Sequence, residues 1–312
     1  MSVDSKSDRP KIALALGAGA ARGWAHVGVI RALQARGIEP DMVCGTSIGA
    51  LVGAAYVSGE LDRFEAWIRE LSLLDIASFM DFSLNGGLIK GEKLMSFFAK
   101  TFQDRPIETL DMPFGAVACN LQTGAEVWLR EGSLAQAVRA SIALPGLLTP
   151  VQYGTKTLVD GGLVNPVPVS LARAMGADVV IAVDLNSDLI GRHFKGELDQ
   201  VEDDQAALAQ ATEPGWFERV QRKIQMSLSF SRKPEMDDKP PVVPSLFDVV
   251  ASSINIMQVR ITRSRMAGEP PDAVVTPRLA QMGLMEFHLA EPAIEQGRQA
   301  FDRAFDSIQE LL

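Results

Sequence analysis

Ser47 lies within Gly45-Thr46-Ser47-Ile48-Gly49, directly after the apolar run Met42-Val43-Cys44 and before a stretch of small residues. Strand, Gly-x-Ser-x-Gly, helix is the order of a nucleophile elbow. The serine rides a sharp turn, and Gly45 and Gly49 remove Cβ atoms that would clash there. An exposed Oγ on such a turn can attack a carbonyl carbon, so the chemistry on offer is acyl transfer. Alone, the pentapeptide reads equally as a Gly/Ser turn. Two more segments tilt it toward chemistry: Gly17-Ala18-Gly19-Ala20-Ala21-Arg22-Gly23 upstream and Asp160-Gly161-Gly162 downstream.

Acyl transfer needs donors for an oxyanion and a base for the serine. Small residues let the N–H groups of Gly19, Ala20 and Ala21 point into one concavity, at the start of a helix near Gly23. Arg22 buttresses that loop or adds positive potential, and the N–H of Ile48 supplies a further donor. Alanine fits there if its φ stays negative. Similar glycine spacing occurs in dinucleotide-binding turns, which require an acid at the end of the second strand. Here Asp41 stands at that strand's beginning, and the strand runs into the serine turn. The oxyanion reading is the better one.

Two bases fit the spacing. The order Ser47…Asp160…His288 matches an ordinary hydrolase triad. Alternatively Asp160, presented at a strand end by Gly161 and Gly162, contacts Ser47 itself. Asp-Gly is also a common turn former. The other histidines are His26, after the oxyanion turn, and His193, in a polar stretch. A histidine base loses activity as pH falls through about 6 to 7, whereas an aspartate titrating near 3.9 keeps it to about pH 5 unless burial raises its pKa.

The three segments, in this order, resemble the signature of patatin-like phospholipases. The flanking Ala140-Ser141-Ile142-Ala143-Leu144-Pro145-Gly146 and Asn165-Pro166-Val167-Pro168 are similar to bacterial RssA-type members, related to neuropathy target esterase. The resemblance covers residues 11–185 strongly and 246–300 more loosely. It implies a three-layer α/β fold with a largely parallel central sheet flanked by helices. It also implies a Ser47–Asp160 dyad and hydrolysis of lipid acyl esters, phospholipid or lysophospholipid. Plant patatins carry consecutive glycines where this chain has Gly19-Ala20-Ala21. Against the enzyme stands a catalytically quiet regulatory protein on the same fold.

Strand signals at residues 11–16, 42–44, 114–120, 126–129, 151–153, 157–159, 179–184 and 273–276 alternate with helical spacing at 24–36, 61–102, 133–141, 168–175, 246–263 and 292–312. That alternation is an α/β layer pattern. Residues 1–10 are polar and without the apolar core of a signal peptide, which fits a cytoplasmic protein. Residues 11–185 read as a catalytic core, 186–245 as an inserted excursion or lid, and 246–312 as helices and a strand completing the domain. Within 213–233, Trp216, Phe217, Val220, Ile224 and Leu228 recur at helical spacing beside Arg219, Arg222 and Lys223. This is the pattern of a packed lid helix or of a peripheral contact at a membrane's inner face.

Composition limits the rest. A net charge of −9 with no dominant basic stripe argues against nucleic acid. Cys44 and Cys119 sit in apolar runs as free thiols, no clustered ligand set for a metal is visible, and no cofactor is expected. Residues 42–59 carry no charge but are too glycine-rich for a membrane span. The sequence specifies no oligomeric state.

Overall fold

Residues 9–72, 74–75, 104–188 and 246–312 are described by the computed structural model. Continuous aliphatic runs make strands buried on both faces, which places them centrally in a parallel sheet. Three strands fit that rule: β1 (Ile12–Leu16), β2 (Met42–Thr46) and β7 (Val179–Val183), each buried throughout. β1 pairs in parallel with β2 and with β7. β3 (Phe114–Asn120) continues the parallel arrangement beyond β2, and β8 (Ala273–Val275) beyond β7.

The remaining strands, β4 (Glu126–Leu129), β5 (Val151–Tyr153) and β6 (Lys156–Asp160), join antiparallel at the β3 side. The sheet is therefore mixed and mostly parallel, as the sequence predicts.

Alternate residues of β1 enter two different apolar clusters. Ile12, Leu14 and Leu16 face α1 (Ala25–Ala35), α2 (Ile48–Val57), α3 (Leu61–Glu70), α4 (Leu134–Ser141) and, at the C-terminus, the helix Ala290–Gln309. Ala13 and Ala15 face α5 (Val169–Ala174). Helices thus cover both sheet faces, giving three layers. α6 (Leu246–Gly268) follows, and Ala290–Gln309 is α7. α1 and α7 lie backbone against backbone: a Cβ at Gly28 would stand 1.8 Å from the Ile294 carbonyl oxygen, and one at Gly297 1.9 Å from that of Ala25.

One feature of the sheet positions the chemistry. β3 pairs Val117 with Thr46 of β2, and the next residue, Ala118, with Asp160 of β6. Val117 and Ala118 also pair with Trp128 and Val127 of β4, so β4 occupies the opposite flank. β2 and β6 therefore share one flank of β3, run toward each other, and meet end to end. Ser47 follows directly on one end; Asp160 is the other.

The uncharged residues 42–59 are accounted for by β2, its turn and α2, and no helix among the described residues is long and apolar enough to cross a membrane. α6 extends five residues beyond the predicted 263, because nothing in Ser264 to Gly268 stops a helix until Pro270 lies ahead. The Trp216 stripe, the contact at 213–233 and all but three residues of 186–245 lie outside the described residues.

Candidate active site

Ser47 adopts φ 56° and ψ −124°, a conformation that a non-glycine residue rarely takes and that marks a strained elbow. Its flanks must be glycine. A Cβ at Gly45 would lie 2.4 Å from the Ala50 backbone, and one at Gly49 2.2 Å from the Leu16 carbonyl oxygen. The turn is tied to β3 through Ser141. The Ser47 N–H donates to Ser141 Oγ (2.8 Å), which donates to the Val117 carbonyl (2.6 Å). The Ser47 carbonyl then accepts from the amides of Ala50 and Leu51, starting α2.

Asp160 is fully buried at the end of β6. Its Oδ2 accepts the Ser47 hydroxyl at 2.5 Å, and its Oδ1 accepts the Gly162 N–H at 2.7 Å. The Asp160 N–H donates to Ala143 (2.9 Å), and a Cβ at Gly161 would stand 2.2 Å from the Val117 carbonyl oxygen. Burial pushes the carboxyl up to about 7, against the lowering effect of the Ser47 and Gly162 hydrogen bonds. A carboxylate so raised is a stronger base than a solvated one and still ionises near neutrality.

Among the described residues, no histidine hydrogen-bonds to either side chain. His26 is buried, its Nε2 2.8 Å from the Gly17 carbonyl oxygen, and burial lowers its pKa to about 4. It is neutral and holds the turn. His288 precedes α7, with a buried Nδ1 that has no partner among the described residues. His193 lies outside the described residues.

The proposed oxyanion donors are only partly available. The Ala21 N–H is taken by the Leu284 carbonyl (3.1 Å), so it is not a donor for substrate. Among the described residues the amides of Gly19, Ala20 and Ile48 have no backbone acceptor; Ile48 opens α2, where N–H groups have no intrahelical partner. Ala20 takes φ 49°, contrary to the expected negative value. Ala20 opens the 3-10 helix Ala20–Trp24, whose Arg22 N–H donates to the Gly19 carbonyl at 3.2 Å.

The Arg22 guanidinium is fully buried. Its Nε donates to the Gly19 carbonyl (3.2 Å) and its Nη2 to Asn255 Oδ1 on α6 (2.9 Å). Desolvation lowers its pKa to about 10, with Asp188 and Asp184 acting the other way, so it remains a cation. Asn186 donates to the Ala18 carbonyl (2.9 Å), bracing the same turn. The side chain of Gln258 abuts Gly162, 2.4 Å from where a Cβ would be. Ser141, Asn186, Asn255 and Gln258 carry no role in the motif-based reading. Their signal is a polar side chain at a position whose neighbours in the pattern are core. No group of three or more His, Cys, Asp or Glu among the described residues is placed to hold a metal ion.

Known proteins resemble this chain in sequence and in fold. Residues 14–173 match the model of the family described as patatin-like phospholipase. An uncharacterized NTE family protein of Mycobacterium tuberculosis is 32% identical, over 97% of this chain and 93% of its own length. Patatin-like phospholipase domain-containing protein 6 of Mus musculus is 36% identical over 56% of this chain, which spans 14% of that larger protein. The crystal structure of VipD from Legionella pneumophila superposes with a TM-score of 0.57 at 12% identity, covering 98% of this chain and 68% of VipD. That likeness concerns the fold alone. A family model over half of the sequence, and a relative alike along nearly all of it, make this chain a member of the patatin-like phospholipase family.

Proposed function

We propose that the chain is a serine hydrolase of carboxylic esters in lipids, phospholipid or lysophospholipid, with Ser47 as nucleophile and Asp160 as its base. The observation that carries the reading is the 2.5 Å bond from the Ser47 hydroxyl to a buried carboxylate, on an elbow with positive φ. Membership of a phospholipase family supports the substrate class.

The chemistry follows from the geometry. As Oγ attacks the ester carbonyl carbon, its proton passes to Asp160 Oδ2, and the carbonyl oxygen becomes an anion. The N–H groups of Gly19, Ala20 and Ile48 receive that anion, while buried Arg22 holds the Gly19 carbonyl and adds positive potential nearby. Collapse breaks the bond to the leaving alcohol, which takes the proton back from Asp160. Water then repeats the sequence, losing its proton to Asp160 and releasing the fatty acid from the acyl-enzyme. The Gly162 N–H keeps Asp160 oriented throughout.

A fluorophosphonate probe tests this directly. Native protein is expected to gain one covalent adduct, which peptide mass analysis locates on Ser47. An unlabelled Ser47 in folded protein would instead favour the catalytically quiet alternative.

The pH profile follows from the raised Asp160 pKa of about 7. Only the carboxylate accepts the serine proton, so kcat/KM should fall about tenfold per pH unit below about 7 and level off above about 8. This moves the acid limb from about pH 5, set by a solvated aspartate, to the region where a histidine would titrate. The profile on soluble p-nitrophenyl ester checks the limb; a rate still flat at pH 5 would contradict a base this deeply buried.

A further inference from the structure

Helix α6 has a mixed buried side and a partly apolar outer one. Its buried positions include apolar Ile254 and Val259 beside polar Asn255, Gln258 and Thr262; Asn255 holds Arg22, and Gln258 abuts Gly162. The outward positions Val249, Val250, Ile256 and Met257 are apolar, yet 46%, 41%, 51% and 48% exposed. Residues 249, 253, 256, 260 and 263 follow one another at spacings of three and four, so Arg260 and Arg263 continue the face that begins with Val249 and Ile256. Both arginines are exposed, and neither forms an ion pair within 4 Å among the described residues, although Arg263 is near enough to Asp184 to act on its charge. Arg265, by contrast, is held by Glu126 at 2.9 Å. Residues 249–268 contain these three arginines and no acid, in a chain whose net charge is −9.

A helix that leaves four large apolar residues in water on one side has that face unmatched to solvent. Apolar residues followed by arginines on that face match an interfacial helix, with hydrocarbon below and phosphate at the rim. A second copy docking symmetrically would bring the same arginines and no anion to meet them.

We propose that this face docks on an anionic lipid surface, with Val249, Val250, Ile256 and Met257 entering the headgroup–acyl boundary and Arg260 and Arg263 meeting lipid phosphates. The inference rests on the lipid hydrolase reading, since the opposite side of the helix touches the candidate site. Docking would then bring that site to the layer that holds its substrate.

The test uses the full chain carrying Ser47→Ala, so that vesicles are not consumed, and co-sedimentation with vesicles. Binding is expected to equal mixtures of phosphatidylglycerol and phosphatidylcholine, and much less to phosphatidylcholine alone. Replacing Val249, Val250, Ile256 and Met257 together by serine should lower partitioning at least about tenfold. Arg260→Glu should lower it by about fivefold or more. With Ser47 restored, both variants should hydrolyse a short soluble ester at the native rate.

Equal binding to the two vesicle types, or unchanged binding by the four-serine variant, would overturn the proposal. So would loss of thermal stability or of a dimer in the four-serine variant, which would mean that protein covers the face. The native protein's rate on soluble ester reports the hydrolase reading separately.

Discussion

Ser47→Ala should lose ester hydrolysis by about 10⁴-fold or more, while the protein remains folded. The elbow is shaped by backbone, by Gly45 and Gly49, and by the Ser47 N–H bond to Ser141, none of which needs the hydroxyl. Alanine meets the same φ of 56° at no new cost. The companion variants sharpen the outcome. His288→Ala should keep most of the turnover, because His288 makes no hydrogen bond to Ser47 or Asp160 among the described residues. His26→Ala should lose part of it together with stability, since its ring holds the Gly17 carbonyl. Purified Ser47→Ala with substantial turnover would sink the assignment. A folded His288→Ala as inactive as Ser47→Ala would replace the dyad by a triad.

Asp160→Asn should be equally inactive, since an amide cannot accept the serine proton, and yet more stable at pH 8. The folded carboxyl titrates at about 7 because burial penalises its charge. Its unfolded pKa is about 3.9. Between those values the folded state holds a proton that the unfolded state has released, so native stability falls as pH rises from about 4 to about 7. Above that window the buried charge costs on the order of 2–4 kcal/mol, less whatever the altered bond to Ser47 returns. Asparagine removes the charge and keeps an oxygen for the Gly162 N–H. The gain should appear as a higher midpoint in urea at pH 8 and vanish by pH 4. A variant less stable at pH 8, or one whose gain ignores pH, would mean that burial of charge is not what raises Asp160.

Much of this architecture is legible in the sequence because the information is local. Continuous apolar runs identify β1, β2, β3 and β7, and Gly-x-Ser-x-Gly identifies the turn after β2. Glycines at 45, 49 and 161 can be read because each removes a Cβ from a backbone oxygen or nitrogen nearby. What depends on chain segments far apart is not legible. Spacing alone leaves the choice between Asp160 and His288 open, because it does not show that β2 and β6 share one flank of β3. Nor does it show that Leu284 takes the Ala21 amide, or that Ala20 adopts a positive φ. In the sequence, α6 reads only as helical spacing over residues 246–263. Asn255 faces inward, where it partners a buried cation, Arg22, from the distant turn after β1.

The end-to-end meeting of β2 and β6 bears on how the protein acquires activity during folding. Ser47 and Asp160, the proposed nucleophile and base, are 113 positions apart in sequence and become neighbours only when both strands have zipped onto β3 from opposite directions. Pairing at such separation carries a large loop-closure entropy and comes slowly. Helical signal can recover early in refolding, but hydrolysis cannot begin until both long-range registers are set, since a one-residue slip turns a strand's side chains to the opposite face. On the proposed dyad, the first detectable turnover is therefore a clock for the pairing of β2 and β6 onto β3, and a ribosome-bound nascent chain stays chemically silent at least until β6 has emerged.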